Sequence, residues 1–508
     1  MFLSRIQRYA IRFSQEIRTI PISTDNKISV PHKSTRVVMT MMERLRRHKD
    51  EHFKKHNPTD PPLHQQGCKP VLKSSIKRLN HYAGQKYPYV DTRFLVSHGW
   101  KNSKSNGQRF LINYNEQNPT KFFSGDGLSS LPAFLTKSLH RLDIQELTEL
   151  QMDVISYCRS DNQHLLCVSH TGSGKTLAYL LPIIEKCLKY KQIALVIAPT
   201  FALCNQITNV CNDLLQDCVD ISCLNLLTVE ECQLNSSLST KILISTPRNI
   251  LNMKGILSSS NFPIRFIVLD ESDTLLDNTF IEDTTDVVRT YGIGVSDEIP
   301  WTRLMFISAT ITPHLRKQIE LFVKLPQLKQ FESKHVNVVM PHVPQIFMRI
   351  GKSHKPGKLL EKVKIDNKRC ILVFCNDCRT TCWLSNFLKA NGVRSGYINS
   401  NLSPKEREQV LLDFNNGVIQ CLCATDAMSK GIDTQWVDNV INYDFPVDIK
   451  DYIHRAGRVG RLSPKQMDIL VTNFISCKKE AGTAQRIEMS VRGMSNLSES
   501  IDELSLND

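Results

Sequence analysis

A chain of 508 residues has room for two or three domains, and 41% hydrophobic with 22% charged residues is the balance of an ordinary globular protein. No run of about 18 apolar residues occurs, so no segment is a candidate for a membrane-spanning helix. The net charge of +14 is concentrated at one end: residues 1–121 hold 23 Lys and Arg against 8 Asp and Glu, leaving the rest of the chain near neutral. Such a basic appendage suits a polyanionic partner, nucleic acid being the commonest, or else a solvated leader. The 16 cysteines are scattered, several inside apolar runs, which fits buried, reduced thiols better than a disulfide framework.

The first twenty residues, MFLSRIQRYAIRFSQEIRTI, place Leu3, Ile6, Tyr9, Ala10, Phe13 and Ile17 on one helical face. Arg5, Arg8 and Arg12 cluster opposite, with Glu16 as the sole acid. An Arg-rich, acid-poor amphipathic start predicts a mitochondrial transit peptide over 1–20 and a matrix location, with the nucleus or cytoplasm as alternatives. A surface or membrane-interface helix shares the same pattern. Residues 21–121 then form a basic extension with few apolar groups. Within it, FLVSHGWKNSKSNGQRF (94–110) sets Trp100 and Phe110 among Lys101, Lys104 and Arg109. That interleaving suits base stacking with phosphate contact, or a basic loop folded onto the first domain.

From about residue 122 the texture changes. LLCVS (165–169), IALVIA (193–198), KILIS (241–245), FIVLD (266–270) and RLMFIS (303–308) alternate with longer amphipathic stretches. Strands separated by helical segments predict right-handed crossovers and a parallel sheet covered on both faces. FESKHVNVVMPHVP (331–344) reads as a polar linker. A second series comes after it: CILVFC (370–375), VRSGYIN (393–399), CLCAT (421–425), VDNVINY (437–443) and MDILVTNF (467–474). The expectation is therefore two α/β domains, 122–335 and 343–478, and a polar tail over 479–508.

The chemistry sits at strand ends. SHTGSGKT (Ser169, His170, Thr171, Gly172, Ser173, Gly174, Lys175, Thr176) follows a strand and opens a helix, the setting of a phosphate loop. Ser169 replaces the usual first glycine, where a small residue still permits the turn. Lys175 would reach the β- and γ-phosphates of ATP, and the Thr176 hydroxyl would ligate Mg2+. DESD (270–273) ends the strand FIVL, so Asp270 stands at the carboxyl edge of the sheet, where open α/β folds bind ligands. Asp270 would hold the magnesium and Glu271 would orient an attacking water. CNDC (375–378) has no second pair at zinc spacing, and packing is its better reading.

Phosphate loop, D-E-x-D, SAT (308–310), ATDxxxKGxD (424–433) and HRAGRVGR (454–461) stand in the order found in DEAD-box RNA helicases, which the chain resembles over residues 122–475. That resemblance implies an α/β fold of two tandem RecA-like domains closing around ATP and single-stranded RNA, an ATP hydrolase coupled to RNA unwinding, and a monomeric core. It implies roles for Asp273, Ser308, Thr310 and His454 in coupling the ATP site to RNA. Gly431 and Asp433 would face the nucleotide across the cleft, and Arg458 and Arg461 would be arginine fingers. Arg455, Arg458 and Arg461, spaced three apart, could also form a cationic ridge. Gln151 in ELTELQ would read adenine, with Phe122 or Phe123 stacking on the base. Pro199, Thr200, Thr246, Pro247, Arg248, Arg407 and Thr425 occupy RNA-contacting positions.

Several departures share one class. The family's P-T-R-E-L-A is PTFALC (199–204), its T-P-G-R is TPRN (246–249), its first-domain double glycine is absent, and Pro404 or Lys405 stands for a glutamine before Arg407. ATP-handling residues are kept while first-domain RNA contacts are altered. A G-W-K segment (99–101) is also similar to one ahead of the core in mitochondrial members linked to large mitoribosomal subunit assembly. The sequence thus supports an ATP-dependent helicase acting on structured RNA, with mitochondrial ribosomal RNA and assembly factors as partners. A DNA translocase fits this motif set poorly. The alternative is an ATP-gated RNA clamp with weak hydrolysis.

Overall fold

The apolar runs become the central strands of two sheets. A computed structural model describes residues 70–87, 90–113, 121–160, 163–228, 240–254, 264–292, 301–333, 336, 342–366, 370–426, 437–460 and 469–495. The transit-peptide segment, residues 21–69 of the extension, Gly431, Asp433, Arg461 and the chain after 495 lie outside the described residues.

In chain order the described strands are β1 (Leu72–Ser74), β2 (Arg109–Ile112), β3 (His164–Val168), β4 (Ile193–Ile197), β5 (Ser222–Asn225), β6 (Lys241–Ser245), β7 (Ile264–Asp270), β8 (Arg303–Ser308) and β9 (Leu328–Glu332). They continue with β10 (Gln345–Arg349), β11 (Ile371–Phe374), β12 (Ser395–Ile398), β13 (Cys421–Ala424), β14 (Asn439–Asn442) and β15 (Leu470–Ile475). The first sheet runs β5-β6-β4-β7-β8-β3-β9, and every pairing in it is parallel. All residues of β3, β4 and β6 are buried, which is why they read as continuous apolar runs instead of alternating ones. Helices such as Lys175–Tyr190 and Phe201–Leu215 cover one face through Leu180, Ile184, Ile207 and Leu214. β9 takes Phe331 and Glu332, so the polar linker begins later than its sequence suggests.

The second sheet runs β1-β2-β10-β15-β14-β11-β13-β12. β10 to β15 pair in parallel, as expected, but two antiparallel strands from the N-terminal extension close its edge. β2 pairs with β10 from Gln345 opposite Ile112 to Met348 opposite Arg109. Phe110 stacks on Phe347 with centroids 4.7 Å apart, and Trp100 stacks on Phe110 at 5.4 Å. Both Trp100 and Phe110 are essentially fully buried. At about 1.5–3 kcal/mol per buried large side chain, that burial holds the segment in place. The expected role of Trp100 and Phe110 in base stacking is therefore corrected: a ring inside a core offers no face to a base. The segment also lies on the second domain, not the first.

A further correction concerns the tail. Lys478–Val491 is a helix opened by a Cys477–Glu480 capping box, and only the residues beyond it can form a tail. Its Glu488 is fully buried and accepts hydrogen bonds from Val96 N and Ser97 N at 2.9 Å and from Ser97 Oγ at 2.7 Å. Arg492 pairs with the same carboxylate at 2.8 Å and donates to Leu79 O and Tyr87 Oη. Residues 72–112 are thus pinned by a charge pair out of water, which is costly to break by removing one partner.

Glu488→Ala should cost about 3–5 kcal/mol in chemical denaturation. It should also make the 76–108 region the first site of limited proteolysis. His81, stacked on Tyr87 and bonded to its hydroxyl at 3.0 Å, has its pKa pushed down to about 4 by burial and by Arg492. The imidazole is neutral in the fold, so between pH 6.5 and 4 the unfolded chain takes up the extra proton and stability falls as pH falls through that window. Thermal melts across it should show the decline, at most about 3 kcal/mol from this group, and His81→Asn should flatten it.

Candidate nucleotide site between the two sheets

β3 ends at Val168, and the N–H of the next residue, Ser169, donates to Ser308 O at 3.2 Å and ties the loop to the neighbouring strand β8. Gly172 and Gly174 then take φ values of 79° and 82°, the left-handed region that other residues rarely adopt. The turn they make delivers Lys175 as the first residue of its helix. Lys175 Nζ donates to Ser169 O at 2.7 Å and His170 O at 2.8 Å, so the ammonium lies within the curl of its own loop. Burial lowers its pKa, opposed by Cys167 and by the nearby Asp270, Asp273 and Glu271. Gln151 closes the back of the loop, donating from Nε2 to Gly174 O at 3.1 Å and accepting Thr148 N at 2.8 Å. Phe123 N donates to Leu147 O, and Phe122 bridges to Thr148. Phe122 and Phe123 are both more than a third exposed, whereas Gln151 is buried with both ends of its carboxamide bonded to backbone.

Asp270 is the last residue of β7. Its carboxylate accepts Tyr179 Oη at 3.0 Å and Glu271 N at 2.9 Å. Burial, and then Glu271, push its pKa up to about 6. Glu271 itself adopts φ 51°, a strained conformation for a non-glycine residue and of the kind that clusters at functional sites. Its Oε2 is buried without a hydrogen-bond partner, as are Thr171 Oγ1 and Ser173 Oγ of the loop. Unsatisfied buried groups cost about 1–3 kcal/mol each, and these three belong to the phosphate loop and to the turn after β7. Two hydroxyl donors, the ammonium and the loop N–H groups fit phosphate oxygens, while the spare carboxylate oxygen fits a water. Thr176 and Asp270 are the residues that could hold magnesium, which would keep most of its other ligands from phosphate and water.

The second domain supplies the facing wall. Asp273 Oδ2 accepts Thr310 Oγ1 at 2.6 Å from its own domain and His454 Nε2 at 3.2 Å from the other. Burial opposes its charge, but His454, Lys450 and the Thr310 hydroxyl outweigh burial and hold its carboxyl far below the usual range. Lys450 Nζ donates to Asp273 O at 2.7 Å and reaches Asp277 at 3.2 Å. Ser308 Oγ donates to Thr310 O at 2.6 Å, fixing the SAT turn. Arg458 is buried, with Nη2 3.9 Å from Glu271 Oε1. Gly457 lies so close to the loop that a Cβ there would overlap Thr171 Oγ1.

The cationic ridge is corrected. Its helix ends at Ala456, and Arg455 turns inward. It binds Asp426 through Nε at 2.6 Å and Nη2 at 2.5 Å, and also donates to Asp444 O and Asn376 Oδ1. It fastens three strand ends of the second sheet. Lys450 and Tyr179 were not anticipated. Lys450 carried a signal, since it stands four residues before His454 on one helical face.

The RNA positions line carboxyl ends of strands. Thr200 follows β4 and caps the next helix by accepting Leu203 N, and Thr425 follows β13. Thr246 and Pro247 follow β6, while Arg248 is exposed and paired with Asp283 at 3.0 Å. Asn249, where the family has arginine, donates inward to Leu226 O and Ser245 Oγ. Arg407 Nη2 donates to Ser400 O.

Because Gly457 has an ordinary φ of −72°, a side chain there strains the contact and not its own backbone. Gly457→Val should leave both domains folded by circular dichroism. It should also lower ATP turnover at least tenfold, with a larger radius of gyration by small-angle scattering.

The sequence profile described as DEAD/DEAH box helicase matches residues 148–318, and that of the helicase conserved C-terminal domain matches 354–463. The chain is 29% identical over 440 residues to the "Probable ATP-dependent RNA helicase DDX28" of Mus musculus, covering 78% of this chain and 79% of that protein. The Homo sapiens protein of the same name is 27% identical with the same coverage. In fold it is similar to "S. cerevisiae Dbp5 bound to RNA and ADP BeF3", with a TM-score of 0.61, 21% identity, and coverage of 73% of this chain and 93% of that one. It is likewise similar to "DEAD-box helicase Mss116 bound to ssRNA and UDP-BeF", with a TM-score of 0.62, 20% identity, and coverage of 71% and 76%. With both profiles matched in order across the two sheets that enclose the loop, the chain belongs to the DEAD-box helicase family.

Proposed function

We infer that the chain hydrolyses ATP at the seam between its two sheets and uses the closed form to separate short RNA duplexes, in the mitochondrial matrix during ribosome assembly. The observation that carries the motor is that Glu271 is met from both sides: Arg458 Nη2 lies 3.9 Å from its carboxylate, and its charge acts on the ammonium of Lys175. ATP would lie along the loop with its triphosphate against Lys175 and the Thr171 and Ser173 hydroxyls. Magnesium, held through Thr176 and Asp270, would neutralise phosphate charge. Glu271 would orient water toward the γ-phosphorus, and Arg458 would stabilise charge developing as the β–γ bridging bond breaks. Gly431, Asp433 and Arg461 complete the set proposed from the motifs. Asp273, through Thr310 on one side and His454 on the other, would link hydrolysis to the grip on RNA.

The matrix and ribosome assignment rests on the Arg-rich amphipathic start and the G-W-K segment. Two of the relatives carry names that call them probable ATP-dependent RNA helicases, which supports RNA as the polymer acted on. The rival is an ATP-gated clamp that binds RNA and scarcely turns over. Its support is specific: Asn249 is spent on internal bonds where the family offers an arginine to the strand.

RNA-stimulated ATP turnover separates the two. Wild type should be stimulated, and Arg458→Ala should lose on the order of 10^3-fold in kcat. Glu271→Gln should lose at least a hundredfold while still binding RNA. Equal, negligible rates in all three would favour the clamp. Crosslinking in cells should recover mainly mitochondrial ribosomal RNA, and recovery of cytosolic or nuclear RNA would overturn the location.

A further inference from the structure

Lys450 belongs to the second domain, and both of its partners belong to the first. Its Nζ donates to Asp273 O at 2.7 Å and to Asp277 Oδ2 at 3.2 Å. The lysine side chain is 13% exposed and that of Asp277 is 50% exposed, so the pair lies at the rim of the seam. Neither acceptor belongs to the phosphate loop, to Asp270 or to Glu271. The contact joins the domains without touching the groups assigned to ATP.

Both ends are held ready for it. Lys450 lies in the first turn of the helix Ile449–Ala456, which Asp448 caps by accepting Lys450 N at 2.8 Å. A cation there meets the positive end of the helix dipole, so the helix itself gives no reason for a lysine. Tyr452 anchors the helix in its own domain, packed against Phe347 and Phe445 with ring centroids 5.8 and 5.4 Å away. On the other side, Asp277 stands in the turn between the helices Ser272–Leu275 and Ile281–Tyr291. Its Oδ1 accepts Asn278 N at 2.8 Å, which orients the carboxylate. Groups fixed in advance lose little freedom when they meet. Burial works against the Lys450 charge, but Asp273 and Asp277 outweigh it and raise the pKa above the usual lysine value. The ammonium therefore stays charged at neutral pH.

Bonds that span the seam are made only when the domains are closed, so their free energy shifts the open–closed balance directly. The helix that carries Lys450 runs straight into Gly457 and Arg458. We propose that Lys450 is a latch for domain closure, a positioning residue that seats Arg458 opposite Glu271 by way of Asp273 and Asp277 and so prolongs the hold on RNA. This rests on the reading of the seam as an ATP site that closes over RNA. Such a latch offsets the altered strand-contacting motifs of the first domain, because it favours closure without contacting the strand.

The test measures the affinity of the full chain for a fluorescein-labelled oligouridylate, with and without magnesium and the non-hydrolysable adenosine 5′-(β,γ-imido)triphosphate. Nucleotide should tighten wild-type binding, and the ratio of the two affinities reads the coupling between the sites. Lys450→Met keeps the stem and removes the charge. It should cut that ratio about tenfold while affinity without nucleotide, which also shows the variant to be folded, stays at the wild-type value. Asp277→Asn should cut it less, since the bond to Asp273 O remains, and Lys450→Arg should keep most of it. Lys450→Glu should abolish the tightening, and adding Asp277→Lys should restore part of it. A wild-type ratio in Lys450→Met would overturn the latch and leave the ATPase reading intact. Equal weakening with and without nucleotide would also overturn it, by placing Lys450 on the RNA itself. A wild type whose RNA binding does not respond to nucleotide would overturn the closing ATP site together with its latch.

Discussion

A single buried carboxylate, Asp273, joins the two halves of this molecule. Thr310 holds one of its oxygens from the first domain, and His454 reaches the same oxygen from the second. Lys450 takes the Asp273 carbonyl. A charge this deeply buried is tolerable only when such partners surround it, and removing them would leave it exposed to the full desolvation penalty. The geometry of the ATP site depends on that contact. With the helix carrying His454 seated on Asp273, Gly457 meets the phosphate loop and Arg458 faces Glu271. The DESD turn would thus have two duties: its first two acids are the ones proposed to address the substrate, and its last acid meets the other domain.

Backbone strain is present in the same place. Glu271 is one of three non-glycine residues among those described with positive φ, and it directly follows Asp270, whose carboxylate accepts its N–H. Two left-handed glycines sit a few residues into the phosphate loop across from it. The surrounding sheet has parallel pairings and buried apolar strands, with a register shift between β4 and β7 at Ile193 and Ala194, at the strands' amino ends. A rigid sheet fixing a strained edge is how an open α/β fold holds catalytic groups in register.

Most of the two-sheet fold could be read from the chain, because β3, β4, β6, β7, β8 and β11 are buried on both faces and appear as uninterrupted apolar runs. The loop and the acids were legible for a related reason, since their positions at strand ends are set by those runs. What was missed lies where burial uses small or charged side chains. The helix Lys478–Val491 buries Ala481, Ala484, Ile487 and Val491 at helical spacing, but two of these are small alanines and Glu480, Thr483 and Glu488 are buried with them, so the apolar stripe is faint in the sequence. In β2 the outward Arg109 and inward Phe110 form the alternation of an edge strand, but aromatics among cations also mimic a nucleic-acid platform. Arg455 was misread because spacing alone does not say that Asp426 waits beneath it.

The edge strands carry a consequence for how the chain is made. β2 must pair with β10, from which more than two hundred residues separate it, the whole first sheet included. At roughly 5–20 residues per second, a ribosome takes on the order of ten seconds or longer to supply that partner. During this interval Trp100 and Phe110 have no core to enter. The first sheet can assemble meanwhile from local crossovers, whereas the second is completed only by a late, long-range closure of the chain's beginning onto its end. The N-terminal strands are thus the last piece of the sheet to find its place, although they are the first to be synthesised.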